Sequence, residues 1–106
     1  MVLIGEIMEN VSVKFMVEDV VGCKWSMTIL DMLEQGINRP GLMTRDQDGL
    51  STKVLNERLK KLLKYGVITK EEFNEIPPRV EYHFTTFGEK FLKIIKSIRE
   101  LEDERN

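Results

Sequence analysis

The stretch GLSTKVLNERLKKLLKYG, residues 49–66, decides how the rest of the chain reads. Ser51 offers a hydroxyl that can accept from the free N–H groups of a helix start, and Leu50 before it can staple onto Leu55 at the fourth helical position. Leu55, Leu59 and Leu62 recur on one helical face, with Val54 and Leu63 at its edges, and Gly66 supplies a residue on which helices stop. The pattern predicts a helix over about 51–65. On a wheel of about 100° per residue, Lys53, Asn56, Glu57, Lys60, Lys61 and Lys64 point away from the apolar stripe. The helix as a whole carries Lys53, Arg58, Lys60, Lys61 and Lys64 against Glu57 alone.

That basic helix is hidden by the average. The chain carries a net charge of −2, which taken alone argues mildly against nucleic acid. Residues 1–35 hold Glu6, Glu9, Glu18, Asp19, Asp31 and Glu34 against Lys14 and Lys24, so the acid is concentrated elsewhere. A composition 42% hydrophobic and 32% charged is that of a folded globular chain, and 106 residues give room for one domain, 1–106. No run approaches the ~20 apolar residues needed to cross a bilayer, so no membrane role is expected. The opening MVLIGEIMENVSVKF lacks a basic leader and meets Glu6 and Glu9 at once, which makes it a poor signal peptide and points to a cytoplasmic protein. Cys23 is the only cysteine, which excludes an internal disulfide and a multi-cysteine zinc site.

Outward from the basic helix, apolar spacing predicts a helix over about 24–34 with a looser lead-in broken by Gly22, and Gly36 ends it. In INRPGLMTRDQDG, Pro40 and Gly41 allow at most a short helix near 42–46. VITKEEF and VEYHFT read as strands, the second alternating Val80, Tyr82 and Phe84 against Glu81 and His83. NEIPPR joins them in a loop too long for a two-residue turn, giving a hairpin over about 67–85. Its two prolines are expected to stiffen the tip and to hold Arg79 out from the sheet. TTFGEKFLKIIKSIRELEDERN then begins with a possible capping box, Thr86 to Glu89, and continues as a helix over about 86–104 striped by Phe87, Phe91, Ile94, Ile95, Ile98 and Leu101.

Enzymatic readings find no support in these residues. His83 is the single histidine, no glycine-rich phosphate loop is present, and no nucleophile has an evident base beside it. Glu71 and Glu72 are strand neighbours that point to opposite faces and cannot act on one bond. His83 reads as a strand surface residue, and neither a cofactor nor a metal is implied. A basic helix followed by a hairpin fits nucleic acid instead. The first turns of a helix in the major groove can present Ser51, Thr52, Lys53, Asn56 and Glu57 to base edges, while Lys60, Lys61 and Lys64 neutralise phosphates.

At this point the chain resembles the HxlR-type winged helix-turn-helix transcriptional regulators, over about residues 12–92. The resemblance is carried by GCKWSMTIL at 22–30, by GLSTKVLNERLKKLLKYGVI at 49–68 and by PPRVEYHFTTFG at 77–88. It implies a mainly helical α+β fold and a dimeric DNA-binding regulator. The helix at 52–65 would be the recognition helix, the loop at 77–79 the wing, and the N- and C-terminal helices the dimer contact. Three features depart from the family pattern. Ser12 stands where many members carry a cysteine, and Cys23 where a second glycine is usual. Pro40 and Gln47 replace an aromatic and an aliphatic in the first helix of the helix-turn-helix, so that helix is expected to be short or its packing rebuilt.

These readings combine into a homodimer on double-stranded DNA, reading a pseudo-palindromic operator. Ser51, Thr52, Lys53, Asn56, Glu57, Arg58, Lys60, Lys61, Lys64 and Arg79 are the expected DNA contacts. Trp25, Phe91, Ile94, Ile95, Ile98 and Leu101 are the expected dimer interface, and no effector can be named. The competing reading is a winged-helix interaction module whose basic face meets an acidic protein partner without reading sequence.

Overall fold

Ser12 and Ser51 start two helices in the same way. Each has extended backbone and accepts at Oγ from the N–H three residues on, Phe15 at 3.0 Å and Val54 at 3.1 Å. The computed structural model describes residues 11–105, so the expectation about the apolar start, residues 1–10, lies outside them. Among the described residues the order is α1 (Val13–Val21), α2 (Lys24–Glu34), α3 (Pro40–Asp46), α4 (Thr52–Lys64), β1 (Ile68–Phe73), β2 (Arg79–Phe84) and α5 (Thr86–Arg105). The lead-in expected to be loose is therefore a helix of its own. Met16 and Val20, one turn apart, are both buried and anchor it.

Helices α2 and α4 stop by the same device. Gly36 (φ 90°) and Gly66 (φ 76°) take the left-handed conformation. Ile37 N–H then donates to Met32 O at 2.9 Å, and Val67 N–H to Leu62 O at 3.1 Å. These bonds satisfy carbonyls that a helix end leaves open. Helix α3 starts at Pro40 itself, because a residue without N–H loses nothing at the first helical position. Its anchor is Met43, fully buried, while Leu42 stays 42% exposed. The helix is short, seven residues, and Met43 is its one buried residue.

The strands pair antiparallel with Ile68 opposite Phe84, Glu71 opposite Glu81 and Phe73 opposite Arg79. Tyr82 N–H donates to Asn38 O at 2.9 Å, which ties the hairpin to the turn before α3. The capping box expected at Thr86 does not form, and the cap is Thr85, one residue earlier. Thr85 Oγ1 accepts from Gly88 N–H at 2.8 Å and donates to Gly66 O at 2.5 Å, and Thr85 N–H donates to Val67 O at 3.1 Å. The start of α5 is thereby sewn to the end of α4, a contact between residues 19 apart that local sequence does not announce.

One continuous core joins these elements. It contains Met16 and Val20 of α1, Ile29, Leu30 and Met32 of α2, Met43 of α3, and Leu55, Leu59 and Leu62 of α4. Val67, Ile68 and Tyr82 close it from the hairpin, and Phe91, Leu92 and Ile95 from α5.

Candidate nucleic-acid interface

The apolar stripe of α4 faces the core, so the opposite side is left to water. Leu50 before the cap and Leu55 inside it are both buried, the pair expected of a staple. Thr52, Lys53, Asn56, Glu57, Lys60 and Lys64 are exposed and fall on one face at helical spacing, with Ser51 exposed at its start. This face carries three lysines against one glutamate, and its N-terminal half presents the short polar side chains.

Arg58 and Lys61 belong to a different side of the helix. Lys61 Nζ lies 3.3 Å from Asp19 Oδ2 in α1. Tyr65 donates its hydroxyl to the same carboxylate at 2.5 Å. Burial, then that hydrogen bond, raise the Tyr65 phenol above its ordinary value, so it remains a donor. Arg58 is half-buried, with a shielded Nε that has no hydrogen-bond partner among the described residues. Its charge reaches Cys23, the cap residue of α2. Burial alone raises the Cys23 thiol, but hydrogen bonds from Ser26 and the charge of Arg58 outweigh it and leave the thiol below its ordinary value. The helical wheel separates polar from apolar positions; it cannot show that Asp19 of α1 meets the flank holding Lys61 and Tyr65.

Arg79 is also placed differently from the expectation. It opens β2 instead of projecting from the tip, and its guanidinium carbon stacks 3.9 Å from the Phe73 ring centre. Glu75 Oε2 lies 3.3 Å from Nη2 and Glu81 Oε2 lies 3.4 Å from Nε. Phe73 is its cross-strand partner and Glu81 shares its face, so register alone brings an aromatic surface and a carboxylate to the guanidinium. The tip is left to Ile76, fully exposed, with Pro77 and Pro78.

Between the wing and α3 lies a cleft of about 600 Å³ lined by Arg39, Arg45 and Arg79 together with Glu75, Pro77 and Pro78. Arg39 and Arg45 are not among the residues expected from the sequence. The available signal is their position around Pro40, once α3 is recognised as the helix before the basic one.

The expected dimer residues divide as well. Phe91 and Ile95 are each 1% exposed and fill the chain's own core. Trp25 is half-buried, its indole beside Gly49 in the turn into α4 with Lys24 Nζ 4.8 Å from the ring. Ile94 and Leu101 are exposed, Ile98 half-buried, and Phe87 exposed and stacked on Phe91. Lys96 pairs with Glu34 at 2.6 Å and Arg99 with Asp31, so α5 lies along α2 as far as residue 99.

Helix α3, the turn at Gly49 and the basic helix α4, followed by a two-stranded wing, define the class of winged helix-turn-helix domains. Residues 20–105 match the HxlR-like helix-turn-helix family, and the chain belongs to it. The uncharacterized HTH-type transcriptional regulator sll1512 of Synechocystis sp. is 36% identical over 85 residues, covering 80% of this chain and 63% of that protein. The chain likewise covers 62% of the HTH-type regulator YtcD of Bacillus subtilis, so it spans less than two thirds of both relatives. Among solved structures, one described as a MarR-family transcriptional regulator from Enterococcus faecalis V583 superposes with a TM-score of 0.75 at 34% identity, covering 84% of this chain and 81% of that one. Diamide-treated YodB from B. subtilis superposes with a TM-score of 0.72 at 26% identity, covering 81% and 85%.

Proposed function

We propose that the chain is a DNA-binding transcriptional regulator that reads its operator through α4. The observation that carries this reading is the exposed face formed by Thr52, Lys53, Asn56, Glu57, Lys60 and Lys64, on a helix buttressed from behind by the core and preceded by α3. Short polar side chains in the first turns suit base edges, and Lys60 and Lys64 suit phosphates. Arg39 and Arg45, in the cleft beside the wing, add backbone contacts that the sequence reading lacks. Lys61 serves instead to seat α4 on α1 through Asp19, and Arg58 lies half-buried near the start of α2. Selection of bound duplexes from a random DNA pool tests the reading. A recurring motif with two-fold symmetry is expected, and failure to retain any duplex at low salt overturns it.

The regulator acts as a homodimer. The exposed apolar residues of α5, Phe87, Ile94 and Leu101, support this, together with Val13 and Phe15 on α1. Two copies related by a two-fold axis would set their recognition helices one DNA turn, roughly 34 Å, apart. Ile94 is 44% exposed and bears little on the chain's own core. Ile94→Asp is therefore expected to halve the mass seen by light scattering without lowering the helical circular dichroism. A wild-type chain that runs as a monomer at high concentration would refute the dimer.

A further inference from the structure

The wing brings together three side chains that the DNA-binding reading does not use. Glu71 and Glu81 are direct cross-strand partners, and His83 follows Glu81 by two residues, so all three point to one face of the hairpin. Carboxylates directly opposite each other in a sheet repel. Here both converge on one nitrogen: His83 Nε2 is 3.3 Å from Glu71 Oε1 and 3.3 Å from Glu81 Oε1. The three donor atoms lie within 4.8 Å of one another. That nitrogen is closed to solvent, yet it makes no hydrogen bond among the described residues.

Bond lengths point to what fits there. With metal–nitrogen and metal–oxygen bonds of about 2.0–2.2 Å, neighbouring ligands of a tetrahedral ion stand about 3.4 Å apart. Both His83 separations are close to that edge. The other Glu81 oxygen, Oε2, is occupied by Arg39 Nη2 at 3.4 Å and Arg79 Nε at 3.4 Å, which fixes the carboxylate and leaves Oε1 turned toward His83. We propose that Glu71, Glu81 and His83 bind a zinc-class divalent ion, with water as the fourth ligand, and that the ion links the two strands of the wing. An imidazole among the donors favours such an ion over calcium or magnesium, which take oxygen sets. The two arginines oppose the ion's charge, so affinity is modest.

Calorimetric titration of the full chain with zinc chloride tests the site and does not depend on DNA binding. One ion per chain is expected, with no saturable heat from magnesium chloride. His83→Ala and Glu71→Gln should each weaken zinc binding at least about tenfold while melting with the wild type in the absence of metal, and Cys23→Ser should leave it unchanged. Absence of saturable zinc binding overturns the proposal. So does equal binding of magnesium, binding that survives His83→Ala, or binding that Cys23→Ser abolishes.

Discussion

Gly88→Ala is expected to destabilise the fold by about 3 kcal/mol or more, a large fraction of what holds a domain of this size together. A methyl group at position 88 would lie 1.8 Å from Val67 O and 2.8 Å from Val67 C. Both are backbone atoms, held in place by the helix-ending bond from Val67 N–H to Leu62 O and by the Thr85 N–H bond to Val67 O. No side chain can swing aside to relieve the clash, so α5 must lift off the end of α4 and draw Phe91, Leu92 and Ile95 out of the core. The denaturant midpoint measures this. Gly41→Ala provides the comparison, since nothing lies within 4 Å of a methyl group there. At that helical position alanine should be neutral or stabilising by up to about 1 kcal/mol. A loss under about 1 kcal/mol at Gly88 would mean that α5 is not seated as described.

The second large effect concerns DNA. Lys53→Glu, Lys60→Glu and Lys64→Glu combined should weaken binding to random duplex at low salt by about a hundredfold or more and reduce the slope of log affinity against log salt by about 3, near 0.9 for each lost phosphate contact. All three side chains are exposed on one face, so the fold should tolerate the exchange. Lys61→Ala gives the contrast. Its ammonium is paired with Asp19 and its side chain is 42% exposed, so the salt slope should barely move and stability should fall by less than about 1 kcal/mol after solvent screening. Equal slopes for the triple variant and the wild type would remove α4 from the interface. A slope change at Lys61→Ala as large as that of one free lysine would show that α1 releases it on DNA.

Much of the architecture is legible because its signals are local. The cap at Ser51, the Leu55–Leu59–Leu62 stripe and the stop at Gly66 all lie within one helix and its flanks, and the observed α4 follows them. The same holds for the helix at Lys24–Glu34 and for both strands, where spacing of apolar residues suffices. Pro40 misleads for an instructive reason. Proline forbids a helix interior but suits its first position, and composition alone does not say which of the two a proline occupies. Thr86 looks like the cap because a glutamate follows three residues later. Thr85 takes the role because only it reaches back to Gly66 and Val67.

The candidate site divides along the same line. Periodicity within α4 sorts polar positions from apolar ones, and spacing alone identifies Lys53, Asn56, Glu57, Lys60, Lys61 and Lys64 as outward-facing, of which all but Lys61 are exposed. It cannot tell water from a neighbouring helix. Asp19, 42 residues from Lys61, decides that Lys61 and Tyr65 pair with α1, and Glu75 with Glu81 and Phe73 decides that Arg79 lies flat on the wing. Strand register makes the third such decision. Glu71 and Glu72 are indeed neighbours on opposite faces, while the partner that matters for Glu71 is Glu81 across the hairpin with His83 two residues beyond. By itself the sequence determined most of the elements, α1 excepted, and which side of each is apolar, because backbone propensity, caps and spacing act over a few residues. The tertiary structure alone decided which charges stay free and which are spent internally, because an ion pair depends on what packing brings within a few ångströms, however far apart in the chain.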